Sequence, residues 1–422
     1  MLGNRNRGLG SPSVMWAVTI VLVVAPAVSP RAHAQAEQVL YSFGSAMGDG
    51  NSPLSGLVSS PAGAFLFGTT SAGGDLTCGN GAGCGTVYEL KANGNGTWTE
   101  TTLLPFNGGA KGQAPHAGVA RSKQGGFFGT TLYGGGGTGG SGVLFDLFQS
   151  GGGWKELVVH DFNGIPDGAG PLADLWLDSN GNIYGTTQRG GLADFGSIFK
   201  VDRTTRRYSL LYSFTGGADG SSPESGLVQD ASGNFYGTTN AGGSAGGFGT
   251  IFQLDPTGTT KTVIYNFTGP PDGAAPIGSL AIDSSGNLYG ATENGGDPTC
   301  DCGIVFLLSP PVVQGGPWNE SVKYRFLGGT DGASPLASVV RDSNGNLYGT
   351  TECGGTEPLC YGTVYKVDPD GSETVLYRFQ GGVDGEAPAA PLLLDKLQKN
   401  LYGTASGGGT HELGVVFRVK LP

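Results

Sequence analysis

The chain has 422 residues, of which 81 are Gly and only 14% are Asp, Glu, Lys or Arg, against roughly 7% Gly and about 25% charged residues in ordinary globular chains. Hydrophobic residues still reach 38%, which speaks against a wholly disordered chain. The glycines follow no three-residue period, which excludes collagen, and they interrupt the sequence too often for a helical fold.

Arg5 and Arg7 precede an apolar stretch, Val14 to Val28, that is followed by Ala32-His33-Ala34. A basic start, an apolar centre and an A-x-A site predict a signal peptide over residues 1–34, cut after Ala34. The apolar run is 15 residues long, short of the ~20 that a spanning helix needs. The expected product is therefore secreted, or periplasmic in a Gram-negative cell, with no transmembrane segment after cleavage. Of the 23 basic side chains, Arg5, Arg7 and Arg31 leave with the leader, so 20 remain against 34 acids, a net charge of −14. That charge repels nucleic acid and anionic membranes, and neither is an expected partner.

From there one unit recurs seven times, which predicts a single domain over residues 35–422. Its leading Phe stands at Phe43, Phe106, Phe162, Phe214, Phe267, Phe326 and Phe379. The units run 44–106, 107–162, 163–214, 215–267, 268–326, 327–379 and 380–422, the last completed by 38–43. Each holds a Y/F-G-T/A-T/A element, such as Tyr236-Gly237-Thr238-Thr239, and a closing G-x-x-Y/F element, such as Gly249-Thr250-Ile251-Phe252. The fourth copy shows four runs of strand chemistry, 226–230, 234–239, 249–255 and 262–267, separated by Gly, Asn, Asp and Pro. The Asp-x-x-Gly-Asn links (Asp178 to Asn182, Asp230 to Asn234, Asp283 to Asn287, Asp342 to Asn346) read as hairpin turns with Gly at a position needing positive φ. Four antiparallel strands per unit of about 50 residues predict an all-β, seven-bladed β-propeller. The segment 38–43 is a lone fourth strand, and the last unit has three strands. Together they make one blade, so the ring is expected to close by pairing the first strand with the C-terminal unit.

The repeated F-x-G-x-x-D-G-x-x-P…Y-G-T-T-x-x-G-G…G-T-V-F pattern resembles that of the GloVer tandem-repeat family, the "choice-of-anchor" proteins, over residues 38–417. The resemblance implies a secreted or surface repeat protein of bacteria whose activity is not established, and it supplies no catalytic residues. Such proteins often end in an anchoring segment. Here Pro422 lies five residues past Phe417, which points to free secretion.

In an antiparallel blade, the loop after the second strand and the crossover after the fourth share one face. Those connections hold the variable lengths, the Gly-Gly pairs and all six cysteines, so binding is expected there. Each crossover except the second carries an Asp four residues before a Pro: Asp49, Asp167, Asp219, Asp272, Asp331 and Asp384, with Lys111 in the second. One reading is a ring of carboxylates at the channel mouth holding Ca²⁺. The other is an Asx-type turn repeated because each crossover needs it. The turn reading is preferred, and no cofactor is expected.

The cysteines are even in number and suit an oxidising compartment, with local pairs Cys78–Cys84, Cys300–Cys302 and Cys353–Cys360 the simplest arrangement. Zinc is the rival, but the spacing is not that of paired C-x-x-C and no His is nearby. Tyr and Phe exchange at the second- and third-strand positions, so their rings are read as packing and the hydroxyl as dispensable. Trp98, Trp154 and Trp318 fall just before fourth strands on the opposite face, where they read as rim packing. Of the His residues, His116 and His160 read as variation between repeats, and His411 lies in a loop without His or Cys beside it. The G-x-S-x-G match at Gly242–Gly246 sits in a Gly-rich loop between strands, where a nucleophile elbow cannot form. Two function classes remain. One is a monomeric, non-catalytic binding or scaffold module of the cell exterior for a glycan, an envelope polymer or a protein. The other is a propeller hydrolase or lyase using carboxylates at the channel mouth.

Overall fold

The computed structural model describes residues 37–136, 140–313, 315–355 and 360–422. The proposed leader, 1–34, lies outside these residues. The chain folds as an all-β propeller of seven antiparallel four-stranded blades. The fourth blade shows the pattern: Val228–Gln229 innermost, then Phe235–Thr239, Thr250–Leu254 and Lys261–Asn266 outermost. The innermost strand is shorter than its sequence pattern suggests, because only two residues per blade pair there before the chain bends into the hairpin turn to the second strand. The seventh blade is composite. Glu37–Ser42 pairs antiparallel with Val415–Lys420, which pairs with Asn400–Ala405 and then Leu393–Leu394, so the ring closes as the sequence predicts.

One aromatic contact repeats at every seam. The leading Phe of each fourth strand meets, edge-on, the third-strand aromatic of the following blade. Phe43 meets Tyr88 at 5.1 Å between ring centroids and Phe214 meets Phe252 at 5.5 Å. Phe379 meets Phe417 at 5.1 Å. The other four seams repeat the geometry. Edge-to-face packing places the positive ring edge on the negative face and adds to the area buried. The same third-strand ring lies across the Gly of the Y-G-T-T element. A Cβ on Gly237 would sit 2.6 Å from Phe252 Cζ, and the other six blades are alike, so no larger residue fits.

The two threonines of Y-G-T-T have different tasks. The second pairs with the third strand of its own blade, as Thr239 Oγ1 does with Thr250 Oγ1 at 2.9 Å. The first reaches the next blade: Thr186 donates to Ser225 O at 2.8 Å, Thr238 to Pro276 O at 2.8 Å and Thr404 to Ser55 O at 2.9 Å across the closing seam. These bonds hold six of the seven segments that begin at a crossover Pro beside the central channel; in the fifth blade Ala291 replaces the Thr.

Removing one seam ring should be costly. Phe214→Ala empties a fully buried position and is expected to lower unfolding free energy in urea by roughly 3–5 kcal/mol.

Candidate functional site

The residues after the crossover prolines converge on the axis. All seven blades contribute to a cavity of about 220 Å³ at the channel mouth. Its wall is mainly aliphatic, with Leu54, Leu172, Ile277, Leu336, Ala389 and Pro391, and three polar side chains break the repeat: His116, Asp174 and Glu224. No Phe, Tyr or Trp among the described residues lines it. Below it lies a second cavity of about 260 Å³ between the innermost strands, and Gly56, Asp174 and Pro391 border both.

Each polar group has a stated environment. Asp174 lies deep in the ring with its carboxylate open to the lumen. Its Oδ1 accepts from Gly118 N at 2.7 Å. Burial raises its pKa, and the Gly118 N–H opposes that shift. Glu224 accepts from Gln188 Nε2 at 2.9 Å and from Asn240 Nδ2 at 3.0 Å. Burial also lowers the pKa of His116, which disfavours its charged form. Glu293 has its pKa raised by burial first and then by Glu352, Glu224 and Asp301, which places three glutamates along one arc of the rim.

The crossover aspartates stand elsewhere. Each caps its own crossover and accepts from the aromatic two residues before the leading Phe. Asp49 Oδ2 takes Tyr41 OH at 2.7 Å and Gly44 N at 2.8 Å. Asp219, Asp272, Asp331 and Asp384 repeat this with Tyr212, Tyr265, Tyr324 and Tyr377. In the third copy His160 Nε2 lies 3.0 Å from Asp167 Oδ2. Where Lys111 replaces Asp, Leu104 replaces the Tyr. That co-occurrence is the signal in the sequence that assigns these aspartates a partner. Among the described residues no three His, Cys, Asp or Glu side chains gather as a metal cage.

A second position escaped the sequence reading. Six residues before each leading Phe, on the outer strand, stand Glu37, Glu100, Glu156, Tyr208, Lys261, Glu320 and Glu373. Each faces the crossover that enters its blade. Lys261 Nζ donates to Asp219 O and Tyr208 OH to Asp167 O at 3.0 Å, while Glu156 meets Lys111 at 3.5 Å. The other four seams oppose Glu to Asp. Burial first, and then the facing Asp, raises Glu37, Glu100 and Glu320 to about 7 and Glu373 to about 8. The buried Oε1 of Glu37, Glu320 and Glu373 has no hydrogen-bond partner among the described residues.

The structure joins Cys78 with Cys84, Cys300 with Cys302 and Cys353 with Cys360, at Cα separations of 5.6, 5.2 and 4.4 Å. Trp318 stands edge-on to Tyr236 of the neighbouring blade at 5.8 Å and Trp98 to Tyr402 at 6.5 Å, both as rim packing. One expectation needs correction. The second-strand hydroxyls of Tyr236, Tyr289 and Tyr348 are not idle, because each donates to the Asp of its hairpin turn at 2.9–3.1 Å. The third-strand hydroxyls of Tyr88 and Tyr365 have no partner among the described residues, and there the ring alone is used. His411 contacts Thr410 in an exposed loop.

Residues 136–316 and 299–422 match the Gloeobacter/Verrucomicrobia repeat. The chain belongs to this repeat family. No curated protein matches the chain. Among solved structures it is similar to an oligogalacturonate lyase in complex with manganese, at 12% identity and TM-score 0.55, covering 92% of this chain and 98% of that one. It is also similar to the oligogalacturonate lyase of Vibrio parahaemolyticus, at 10% identity and TM-score 0.53, with 92% and 97% covered. At such identities the likeness is one of fold. No helix among the described residues is long and apolar enough to cross a membrane.

Two expectations follow. Asp331→Ala leaves Tyr324 OH and Leu327 N without their acceptor and should cost about 1–3 kcal/mol. As a turn residue it should cost the same in Ca²⁺ and in EDTA, compared by thermal unfolding; a loss seen only in Ca²⁺ would favour the cation reading. The seam glutamates give a pH dependence. Their folded pKa lies above the ordinary value of 4.5, so the unfolded chain releases these protons first. Stability should then fall as pH rises from about 5 to about 8. Glu320→Gln should flatten that slope and stabilise the protein at pH 8 by about 1 kcal/mol, a figure discounted for partial solvent screening.

Proposed function

We propose that this is an exported, non-catalytic binding module that holds its ligand at the channel mouth on the face of the variable loops. The observation that carries this reading is the convergence of all seven blades on one axial cavity whose wall is largely aliphatic and broken by three ionisable side chains, His116, Asp174 and Glu224. Rigid strands supply the wall and the crossovers supply the variation, an arrangement suited to recognition. The three disulfides agree with an oxidising compartment. The crossover carboxylates are engaged by their own loops, which leaves the mouth trio as the polar groups open to a ligand. An envelope polymer or an exposed protein segment is the expected partner class, and a sugar would find no aromatic face in the cavity.

A second reading, a propeller lyase or hydrolase, draws support from the shared fold of the two oligogalacturonate lyases and from the placement of His116, Asp174 and Glu224 in one cavity. Ile277→Trp, which fills the cavity, separates the two readings. Purified protein is incubated with immobilised envelope polymers and, in parallel, with oligogalacturonate and manganese. Binding should be recovered with the ligand unchanged and should weaken at least tenfold in Ile277→Trp. Formation of an unsaturated uronide, abolished by the same substitution, would make the protein an enzyme instead.

A further inference from the structure

The charge of Asp174 exceeds what the fold asks of its position. The third residue after the crossover Pro accepts a backbone N–H from the preceding blade in three places. In two of them a hydroxyl suffices: Ser279 Oγ takes Gly226 N at 2.8 Å and Ser338 Oγ takes Ser279 N at 2.7 Å. Asp174 makes the same bond to Gly118 N with one oxygen, and its second oxygen takes no hydrogen bond from the described residues. That oxygen belongs to a carboxylate open to the lumen, at the border of both axial cavities.

The surrounding charge is one-sided. Two repeat positions per blade bear on the mouth: the residue after the crossover Pro, which lines it in all seven copies, and the residue after the Y-G-T-T element, of which Gln188, Asn240 and Glu293 approach Glu224. Neither position carries Lys or Arg in any of the seven copies. Glu224, Glu293 and Glu352 occupy successive blades of one arc, and burial disfavours the charged form of His116. Across from that arc the wall is Leu54, Ala389 and Pro391. A low-dielectric wall focuses the field of the carboxylates into the cavity. A neutral sugar would leave this charge unanswered, and an anion would be repelled.

We propose that the mouth cavity takes a primary alkylammonium group, with the cationic head between Asp174 and the glutamate arc and the aliphatic stem along the leucine side. A lysine side chain of a polypeptide and a free polyamine carry the same chemistry. A volume of about 220 Å³ accommodates one such chain, whose stem can bury its methylenes while its head keeps polar partners. This inference rests on the mouth being the binding site.

The test is titration calorimetry of the purified protein with three probes of equal length: 1,5-diaminopentane, 1,5-pentanediol and glutarate. The diamine should bind at least tenfold more tightly than the diol, and glutarate should not bind. Asp174→Asn keeps an oxygen for Gly118 N, and it should lower diamine affinity at least tenfold with an unchanged thermal midpoint. Glu320→Gln, which removes a carboxylate outside the mouth cavity, should leave diamine affinity unchanged. A Gly-Lys-Gly peptide that binds as well as the diamine would indicate a polypeptide ligand, and preference for the diamine a polyamine; both support the inference. Equal binding of diol and diamine, preference for glutarate, or diamine binding indifferent to Asp174→Asn would overturn it and leave the mouth as a binding site of another class. Silence from all three probes would also overturn it, and the cavity-filling substitution Ile277→Trp then decides whether the mouth binds anything.

Discussion

An aromatic edge laid on the next blade's aromatic face is the contact around which this molecule is arranged. It occurs at all seven seams, including the composite one between Phe379 and Phe417. Because the third-strand ring must lie flat across the second strand, that strand needs Gly where the ring crosses it. Because the seams are so close, the first Thr of the next element reaches across to a carbonyl beside the channel. The most repeated letters of the sequence, F, G, T and the closing aromatic, are therefore parts of one device. The axial cavity follows from it, since seven equal seams set the ring that the crossover segments line.

A repeated scaffold makes its own exceptions informative. Where every copy solves the same structural problem, a residue that solves it with surplus chemistry stands apart from one that merely varies. Lys111 is variation with compensation: Leu104 replaces the Tyr that would need an Asp, and Glu156 meets the lysine. Asp174 has no such compensation, because its copies in the fifth and sixth blades manage with serine. The seam glutamates form a third kind. Glu recurs at five of the seven copies yet faces a carboxylate in four of them, and burial with that neighbour holds its pKa up.

The fold was legible because its determinants are local and repeated. Seven leading Phe residues, the Y-G-T-T elements and the split final blade sufficed for strand count, ring size and closure. The candidate site was far less legible. The repeat partners of Asp174 are Gly, Ser or Pro and those of Glu224 are Leu, Ile, Ala or His, so no shared residue marks either position, and their approach to one axis is visible only when the ring is closed. The conspicuous aspartates lay at the crossovers' outer ends because their partner is an outer-strand tyrosine, a pairing readable from the Leu104–Lys111 exception but easily missed. The outer-strand glutamates were hidden by the same habit of attending to motif letters rather than to the residues between them.

The composite blade bears on how the molecule comes into being. Glu37–Ser42 finds its partner strand in Val415–Lys420, so the first described strand and the last must meet. Six blades can assemble from neighbouring sequence, but the seventh pays the entropy of closing the longest loop the chain offers. Until that meeting, two sheet edges stand open, and such edges invite pairing with other chains. Ring completion is thus the slow step expected of so non-local a contact, and the interval before it is when the chain is most exposed to aggregation.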